Sequence, residues 1–291
     1  MAKRPRVSGW RLGLQIFFFA LIAIIAVGHT LEEAGGGLPL IAAASTHAIC
    51  PFGGVVSIYQ VATTGTYVKK IHESSFILMY IVFALALFMG PVFCGWVCPF
   101  GSFQEWTGRL GRKIFGKRYN NLIPYKVDRW LRYLRYGVLA LVLYMTARTG
   151  LLMFANVDPY FALFNFWTGE VAITALIALG VVFLLSFLVE RPFCKYACPY
   201  GAALGLFNLL RIFKIRRNPE TCIDCKACDR SCPMNIPVST SGVVRDHQCI
   251  TCMKCTSEQS CPVNHTVELM AGGFAVSAGA GRPAAQGEVR S

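Results

Sequence analysis

The stretch Cys222-Ile-Asp-Cys225-Lys-Ala-Cys228-Asp-Arg-Ser-Cys232-Pro places four cysteines at C-x2-C-x2-C-x3-C-P spacing. This is the spacing of bacterial iron–sulfur ligands, in which three thiolates bind three corners of one 4Fe–4S cluster. In proteins with two such clusters, the fourth cysteine ligates the other cluster. The stretch therefore predicts a cluster-binding fold that needs a second run of cysteines.

That second run is Cys249-Ile-Thr-Cys252-Met-Lys-Cys255, and Cys261 with its following proline completes it after a longer gap. Crossed ligation then predicts two 4Fe–4S clusters. The first quartet is Cys222, Cys225, Cys228 and Cys261, and the second quartet is Cys249, Cys252, Cys255 and Cys232. Structural zinc sites normally pair two separate C-x2-C knuckles, and disulfides are disfavoured in a reducing cytoplasm. Both alternatives fit this spacing less well.

A shorter cysteine motif occurs twice in the chain. Phe-Cys94-Gly-Trp-Val-Cys98-Pro-Phe-Gly recurs 100 residues later as Phe-Cys194-Lys-Tyr-Ala-Cys198-Pro-Tyr-Gly. Cysteines one helical turn apart face the same direction, and the proline and glycine that follow end or bend the helix. We predict that the four cysteines share a metal ion or a further iron–sulfur centre. The alternative is that they are buried, reduced and structural.

Composition indicates a membrane protein. Hydrophobic residues make up 55% of the chain against 15% charged residues, and the mean hydropathy is +0.49. Four apolar stretches, at roughly 12–28, 76–93, 134–154 and 171–189, approach or reach the ~20 residues that cross a bilayer. The fold class predicted is an α-helical integral membrane protein with about four transmembrane helices. The repeated motif follows the second and fourth stretches, so the helices form two hairpins in a parallel repeat.

The distribution of basic residues predicts the orientation in the membrane. Arg11 and three further basic residues precede the first span, and nine Lys and Arg lie between Arg109 and Arg135. Only Lys69, Lys70 and Arg148 fall on the opposite side. By the positive-inside rule, both termini and the 94–133 connection are cytoplasmic. The net charge of +13 is thus explained without nucleic-acid binding. Cleavage of the first span as a signal peptide is an alternative.

Taken together, the motifs resemble the NapH/NosR-type membrane polyferredoxins, which include MauN-like proteins. The resemblance covers roughly residues 10–265. It implies an electron-transfer protein of the bacterial inner membrane that links the quinol pool or cytoplasmic donors to a partner redox enzyme or cytochrome. The expected organisation is a membrane domain at 1–217, a two-cluster ferredoxin-like α+β domain at 218–266 and a disordered tail at 267–291.

Three functional classes are consistent with these motifs. The first is an electron-transfer subunit rather than a stand-alone enzyme, and no catalytic residue is predicted. The alternative is an assembly or maturation factor that reduces a metal or a thiol for a partner enzyme. A third class is a redox sensor, but the sequence shows no signalling output domain. The expected partners are membrane lipid, a redox enzyme or cytochrome, and quinol, with a bound quinone left open.

Several further residues are weaker candidates. Cys50 lies in the external connection and lacks a neighbouring cysteine, so it is a weak ligand candidate. Arg148, Asp158 and Glu170 flank the second external loop, where they either shape a quinol pocket or are simply solvated. Two basic amphipathic helices are expected on the cytoplasmic surface, at 103–115 and 202–217.

Overall fold

The computed structural model describes residues 7–33, 73–149, 157–169 and 171–271. Most of these residues are helical. The helices are α1 (Val7–Glu33), α2 (Glu73–Met89), α3 (Pro99–Phe115), α4 (Tyr125–Leu131), α5 (Leu134–Thr149), α6 (Pro159–Asn165), α7 (Ile173–Ser186), α8 (Pro192–Tyr196), α9 (Pro199–Leu210) and α10 (Ala227–Arg230). A π-helical turn spans Phe93–Val97, a 3-10 turn spans Gly116–Arg118, and the strands are β1 (Lys214–Arg217) and β2 (Val267–Met270). Cys50 and most of the predicted tail lie outside the described residues.

The four apolar stretches coincide with helices α1, α2, α5 and α7. Of the helices in the described ranges, one is long and apolar enough to cross a membrane, and it corresponds to Gly9–Leu31 of α1. Shorter apolar helices occur at Ile77–Met89, Ile173–Ser186 and Pro199–Leu210. The helical fold class is confirmed. The crossing of the membrane by four helices stays a prediction.

The two cysteine motifs share one backbone hydrogen bond, although the first is a π-helical turn and the second is α-helical. The Cys98 amide donates to the Phe93 carbonyl at 2.9 Å, and the Cys198 amide donates to the Phe193 carbonyl at 2.8 Å. In both copies the second cysteine is the N-cap residue, and proline occupies the first turn of the next helix. Proline suits this position because the first helical amides have no intrahelical acceptor. Each motif therefore turns the chain from one apolar helix, α2 or α7, into the next, α3 or α9.

Each half of the repeat packs its second helix against the first helix of the other half. Helix α3 of the first half packs against α7 of the second, and α9 of the second packs against α2 of the first. The ring of Phe93 meets Tyr200 edge-on with centroids 5.8 Å apart, and Phe193 meets Phe100 in the same way at 5.3 Å. These reciprocal contacts give the repeat a pseudo-twofold relationship. As a result, both cysteine motifs lie at one centre.

A short antiparallel sheet joins the membrane helices to the C-terminal segment. Lys214 of β1 lies opposite Met270 of β2, and Arg217 lies opposite Val267. This finding corrects two sequence expectations. The helix expected at 202–217 ends at Leu210 and is followed by β1, and residues 267–270, expected to be disordered, form β2. Both strands add buried side chains to the cysteine-rich core, Ile215 from β1 and Val267 from β2.

Candidate iron–sulfur sites

The second predicted quartet lines one cavity. Cys232 comes from the first cysteine run, while Cys249, Cys252 and Cys255 come from the second. The remaining wall is apolar apart from backbone and is formed by Ile215, Pro233, Met234, Ile236, Val238, Val244 and Ile250. The structure thus brings the four cysteines together in the crossed combination expected from their spacing. A dry, thiol-lined pocket of this kind matches the donor chemistry that iron–sulfur clusters use.

The loops between the cysteines have an unusual backbone. Asp224 and Lys226 in the first run have φ of 52° and 54°, and Thr251 and Met253 in the second have φ of 47° and 57°. Non-glycine residues rarely adopt this left-handed conformation. Alternation with right-handed residues makes consecutive amides point into a concave surface, which is a known way of holding iron–sulfur clusters. Equivalent positions in the two runs therefore have equivalent local folds.

The first quartet lies nearer the surface. Burial raises the pKa of Cys228 to about 11, and the charges of Asp229, Cys261 and Cys222 act in the same direction. Cys228 is therefore within electrostatic range of two of its predicted partners. Cys225, the remaining member, is exposed. This quartet is the more accessible of the two.

Burial disfavours the ionised thiols of the second quartet. It raises the pKa of Cys232, Cys249 and Cys255. Metal ligation requires thiolates, and a bound cation offsets that cost. Among the residues that the structure describes, no three His, Cys, Asp or Glu side chains are close enough to hold a single metal ion. Each thiolate of a 4Fe–4S cluster binds a different iron atom, so the ligands of a cluster stand farther apart than those of one ion.

The four cysteines of the repeat also come together. An ionised Cys198 would interact with the charges of Cys194, Cys94 and Cys98. Two donors point at these sulfur atoms: the Gly201 amide lies 3.2 Å from the Cys198 Sγ, and the Gln104 Nε2 lies 3.5 Å from the Cys194 Sγ. Hydrogen bonds to sulfur stabilise a thiolate and tune a cluster that it ligates. We call this group the repeat thiols.

The repeat thiols lie against the loop of the second quartet. A Cβ built on Gly95 would be 2.4 Å from the Ile250 carbonyl oxygen and 3.3 Å from the Cys252 Cα. The Trp96 Nε1 donates to the Thr251 carbonyl at 3.0 Å. Cys94 and Cys194 both pack against the core that contains the second quartet. Backbone contact at this point is possible because residue 95 has no side chain.

A buried ion network surrounds these sites, and the sequence interpretation did not identify it. Glu105 of α3 is 1% exposed and pairs with Arg11, with Arg191 at 2.7 Å and with Lys254 at 3.2 Å. Burial alone would raise the pKa of Glu105, but the charges of Arg191, Lys254 and Arg11 hold that pKa well below its usual value. The one feature of the sequence that could have indicated the network is that Glu105 is the only acidic residue in a basic amphipathic helix. We call this group the Glu105 network.

A second carboxylate, Asp128 of α4, has a similar arrangement. It pairs with Arg132, with Lys195 at 2.7 Å, and with the Tyr196 hydroxyl. Burial opposes ionisation, but the hydrogen bonds from Lys195 and Tyr196 lower the pKa of Asp128. Lys195 is the residue that follows Cys194, so this network fixes the second cysteine motif.

The loop residues considered for a quinol pocket have structural contacts. The Asp158 Oδ1 accepts a hydrogen bond from the Tyr160 amide at 2.9 Å and caps α6. The Arg148 Nε donates to the Tyr144 hydroxyl at 3.3 Å, one turn away in α5. Glu170 lies outside the described residues. A quinol pocket at this loop stays a prediction.

Comparison with known proteins links these sites to iron–sulfur binding. A family model described as a 4Fe–4S binding domain matches residues 71–118 and residues 171–218. Each match contains one copy of the cysteine motif and the span before it. The two matches therefore cover the two halves of the repeat.

Three similar proteins indicate the wider relationship. YccM of Escherichia coli, whose name assigns it provisionally to electron transport, is 31% identical over 273 residues, which cover 89% of this chain and 74% of YccM. The ferredoxin-type protein NapH of Haemophilus influenzae is 33% identical over 185 residues, 60% of this chain and 61% of NapH. The regulatory protein NosR of Stutzerimonas stutzeri is 29% identical over 204 residues, 64% of this chain and 26% of NosR. No solved structure matches the chain.

Proposed function

Because the chain belongs to the family of ferredoxin-type membrane proteins with a 4Fe–4S binding domain, we propose that it is a membrane-bound electron carrier with two 4Fe–4S clusters. The observation that carries this proposal is the cavity lined by Cys232, Cys249, Cys252 and Cys255. Four cysteines from two separate runs line one apolar pocket, in the combination that crossed ligation requires. The first quartet, Cys222, Cys225, Cys228 and Cys261, would hold the other cluster.

Four membrane spans are part of the proposal. Helices α1, α2, α5 and α7 each present large apolar side chains that are more than half exposed, among them Ile16, Ile77, Leu141 and Ile173. Exposed apolar surface on four helices suits contact with lipid tails. Together with the position of the basic residues, it supports an inner-membrane protein with both termini and both clusters on the cytoplasmic side. Arg11 of α1 pairs with Glu105, which supports α1 as a retained span.

The order of the sites supports a relay. When bound, a 4Fe–4S cluster supplies one-electron chemistry. The repeat thiols lie at the inner ends of the spans and contact the loop of the buried second quartet. Cys255 of that quartet is in turn within electrostatic range of Cys228 of the first quartet. The exposed Cys225 then lies at the surface. We propose that electrons pass between the membrane and a soluble partner along this order.

The partners follow from the two ends of the relay. Quinol is the proposed partner at the membrane end, where the repeat thiols would hold a further iron–sulfur centre. A partner redox enzyme or cytochrome is proposed at the surface around Cys225. Membrane lipid surrounds the spans.

The test begins with metal content. Protein purified anaerobically in detergent should contain about eight iron atoms and as many sulfides per chain, or about twelve if the repeat thiols bind a further cluster. Zinc with little iron in the reconstituted protein would refute the proposal.

Ligand substitution then tests the crossed arrangement. Cys232→Ser should damage the cluster of Cys249, Cys252 and Cys255 and leave the spectrum of the other cluster largely intact. Thr240→Ala, which changes an exposed residue outside both quartets, is the control and should retain all the iron. Loss restricted to the cluster of Cys222 would show that each run binds its own cluster instead.

A further inference from the structure

Arg211 lies at the junction of the membrane helices and the cysteine-rich segment. It is the C-cap residue of α9 and is fully buried. Its Nη1 donates to the Thr251 Oγ1 at 2.9 Å and lies 3.6 Å from the Cys249 Sγ, and its Nη2 donates to the Val244 carbonyl at 2.9 Å. The guanidinium therefore sits beside a sulfur atom of the second quartet and is held there by two neutral acceptors.

The charge of Arg211 has no carboxylate counterpart in the described part of the chain. Two other buried arginines pair with acids, Arg191 with Glu105 and Arg132 with Asp128. A third, Arg135, bonds like Arg211 to neutral groups, but none of them belongs to a cysteine of the quartets. No such ion pair forms at Arg211, and its Nε also has no hydrogen-bond partner there. Burying a cation without an anion is strongly unfavourable. The group that approaches the guanidinium is instead the Cys249 thiol, which is a ligand in the proposed cluster.

The surroundings make room for this arginine. Gly90 has φ of +86°, and a Cβ built on it would lie 2.9 Å from the Arg211 Nη1 and 2.6 Å from the Thr251 Oγ1. Thr251 in turn donates to the Met89 carbonyl at 3.1 Å. The end of α2 is therefore shaped around the pair formed by Arg211 and Thr251. This fixes the distance between the guanidinium and Cys249.

We propose that Arg211 is a positioning residue that raises the reduction potential of the cluster held by Cys249, Cys252, Cys255 and Cys232. The inference rests on the proposed function. A 4Fe–4S cluster with four thiolates has a net charge of about −2 when oxidised and about −3 after it gains one electron. A fixed cation and a donor to sulfur stabilise the more negative form. The reaction is the transfer of one electron to the cluster, and dithionite supplies that electron in the test below.

This role gives the buried cluster a place in the relay. Burial away from water favours the less charged, oxidised form and so lowers the reduction potential. Arg211 opposes that effect at the second quartet. The first quartet instead has one exposed member, Cys225, where solvent stabilises charge. Arg211 thereby keeps the buried site reducible by an electron that arrives from the membrane end.

The experiment is a redox titration of the loaded, full-length protein followed by EPR. In Arg211→Gln the midpoint potential of the cluster held by the second quartet should become more negative. The midpoint potential of the cluster held by the first quartet should stay unchanged. Arg211→Lys keeps the charge but not the paired donors, so it should shift the same cluster in the same direction by a smaller amount. Arg245→Gln, an exposed residue of the same segment, is the matched control for net charge and should shift neither cluster.

The outcomes separate the inference from the function. If the unaltered protein shows no EPR signal from reduced clusters, the proposed function fails. If both clusters titrate and Arg211→Gln leaves both potentials unchanged, only the inference is overturned. If Arg211→Gln loses iron, the titration of Arg211→Lys decides: a negative shift of one cluster supports the role, and an unchanged potential refutes it.

Discussion

The guanidinium of Arg191 donates to the Glu105 Oε2 at 2.7 Å, and both side chains are fully buried. Arg191 also donates to the Cys94 carbonyl at 2.6 Å. Lys254, the residue before Cys255, approaches the same carboxylate. Together with Arg11 of α1, these contacts make one carboxylate connect α1, both cysteine motifs and the cysteine-rich segment. The Glu105 network therefore holds the proposed sites in contact with one another.

Replacing that carboxylate should destabilise the protein. Glu105→Gln leaves the buried cations of Arg11 and Arg191 without their counter-charge. Removing one partner of a buried ion pair typically costs about 3–5 kcal/mol. Chemical denaturation in detergent should show a loss of this size, whereas Glu220→Gln, at an exposed position, should change stability by less than about 0.5 kcal/mol. Equal stability of the two variants would contradict the structural role of the network.

The same carboxylate predicts a pH dependence. The charges around Glu105 hold its pKa well below the ordinary value of 4.5, against the opposing effect of burial. Because the pKa is lower in the folded state, the stabilising contribution is complete above the unfolded value and is lost as the pH falls through the folded value. The difference in unfolding free energy between unaltered protein and Glu105→Gln should stay constant from about pH 8 to about pH 5 and shrink below that. A difference that grows in acid would contradict this account.

Gly95 lies where the first cysteine motif contacts the loop of the second quartet, so a side chain at this position should disturb the contact. Gly95→Ala forces a methyl group to within 2.4 Å of the Ile250 carbonyl oxygen, and neither backbone can move away freely. Overpacking of this kind costs about 1–3 kcal/mol. Gly137→Ala in α5 is the control, because nothing lies within 4 Å of the added atom. That variant should be neutral or slightly stabilising in thermal denaturation, since alanine favours a helix.

Electron transfer provides a second measurement on Gly95→Ala. If the contact carries electrons between the repeat thiols and the second quartet, a wider gap should slow quinol-driven reduction of the clusters. Reduction by dithionite should be unaffected. An unchanged quinol-driven rate in a variant that is nevertheless less stable would limit Gly95 to a packing role.

The grouping of the cysteines in the second quartet was predictable from their spacing, and the structure places all four around one cavity. Their spacing follows from the geometry of a cluster, so the combination of Cys232 with the second run could be predicted without a structure. The resemblance to NapH and NosR rested on the same motifs, and the comparisons confirm the family. The structure adds that both repeat motifs meet, because α3 and α9 each pack against the span of the other half.

Two features were not predictable from local sequence. Strands β1 and β2 are four residues long and are separated by 49 residues, so no local periodicity identifies them. Glu105 lies in a helix whose charges suggested a solvated or lipid-facing surface, yet it is buried because Arg11, Arg191 and Lys254 come from three distant segments. Burial of a charge depends on partners that the neighbouring sequence does not contain.

The repeat thiols give the last prediction. Cys98 and Cys198 cap equivalent helices, and charge on either would act on the remaining repeat cysteines. If these thiols bind a centre that passes electrons inward, Cys98→Ser or Cys198→Ser should lower the rate of quinol-driven cluster reduction at least ~10-fold, because the replacement removes one ligand. The two clusters of the cysteine-rich segment should keep their EPR signals and remain reducible by dithionite. Ser102→Ala, which removes only a hydroxyl that donates to the Cys98 carbonyl, is the matched control and should behave as unaltered protein. Unaltered quinol-driven reduction in both cysteine variants would instead show that the repeat thiols are structural, with electrons entering the clusters by another route.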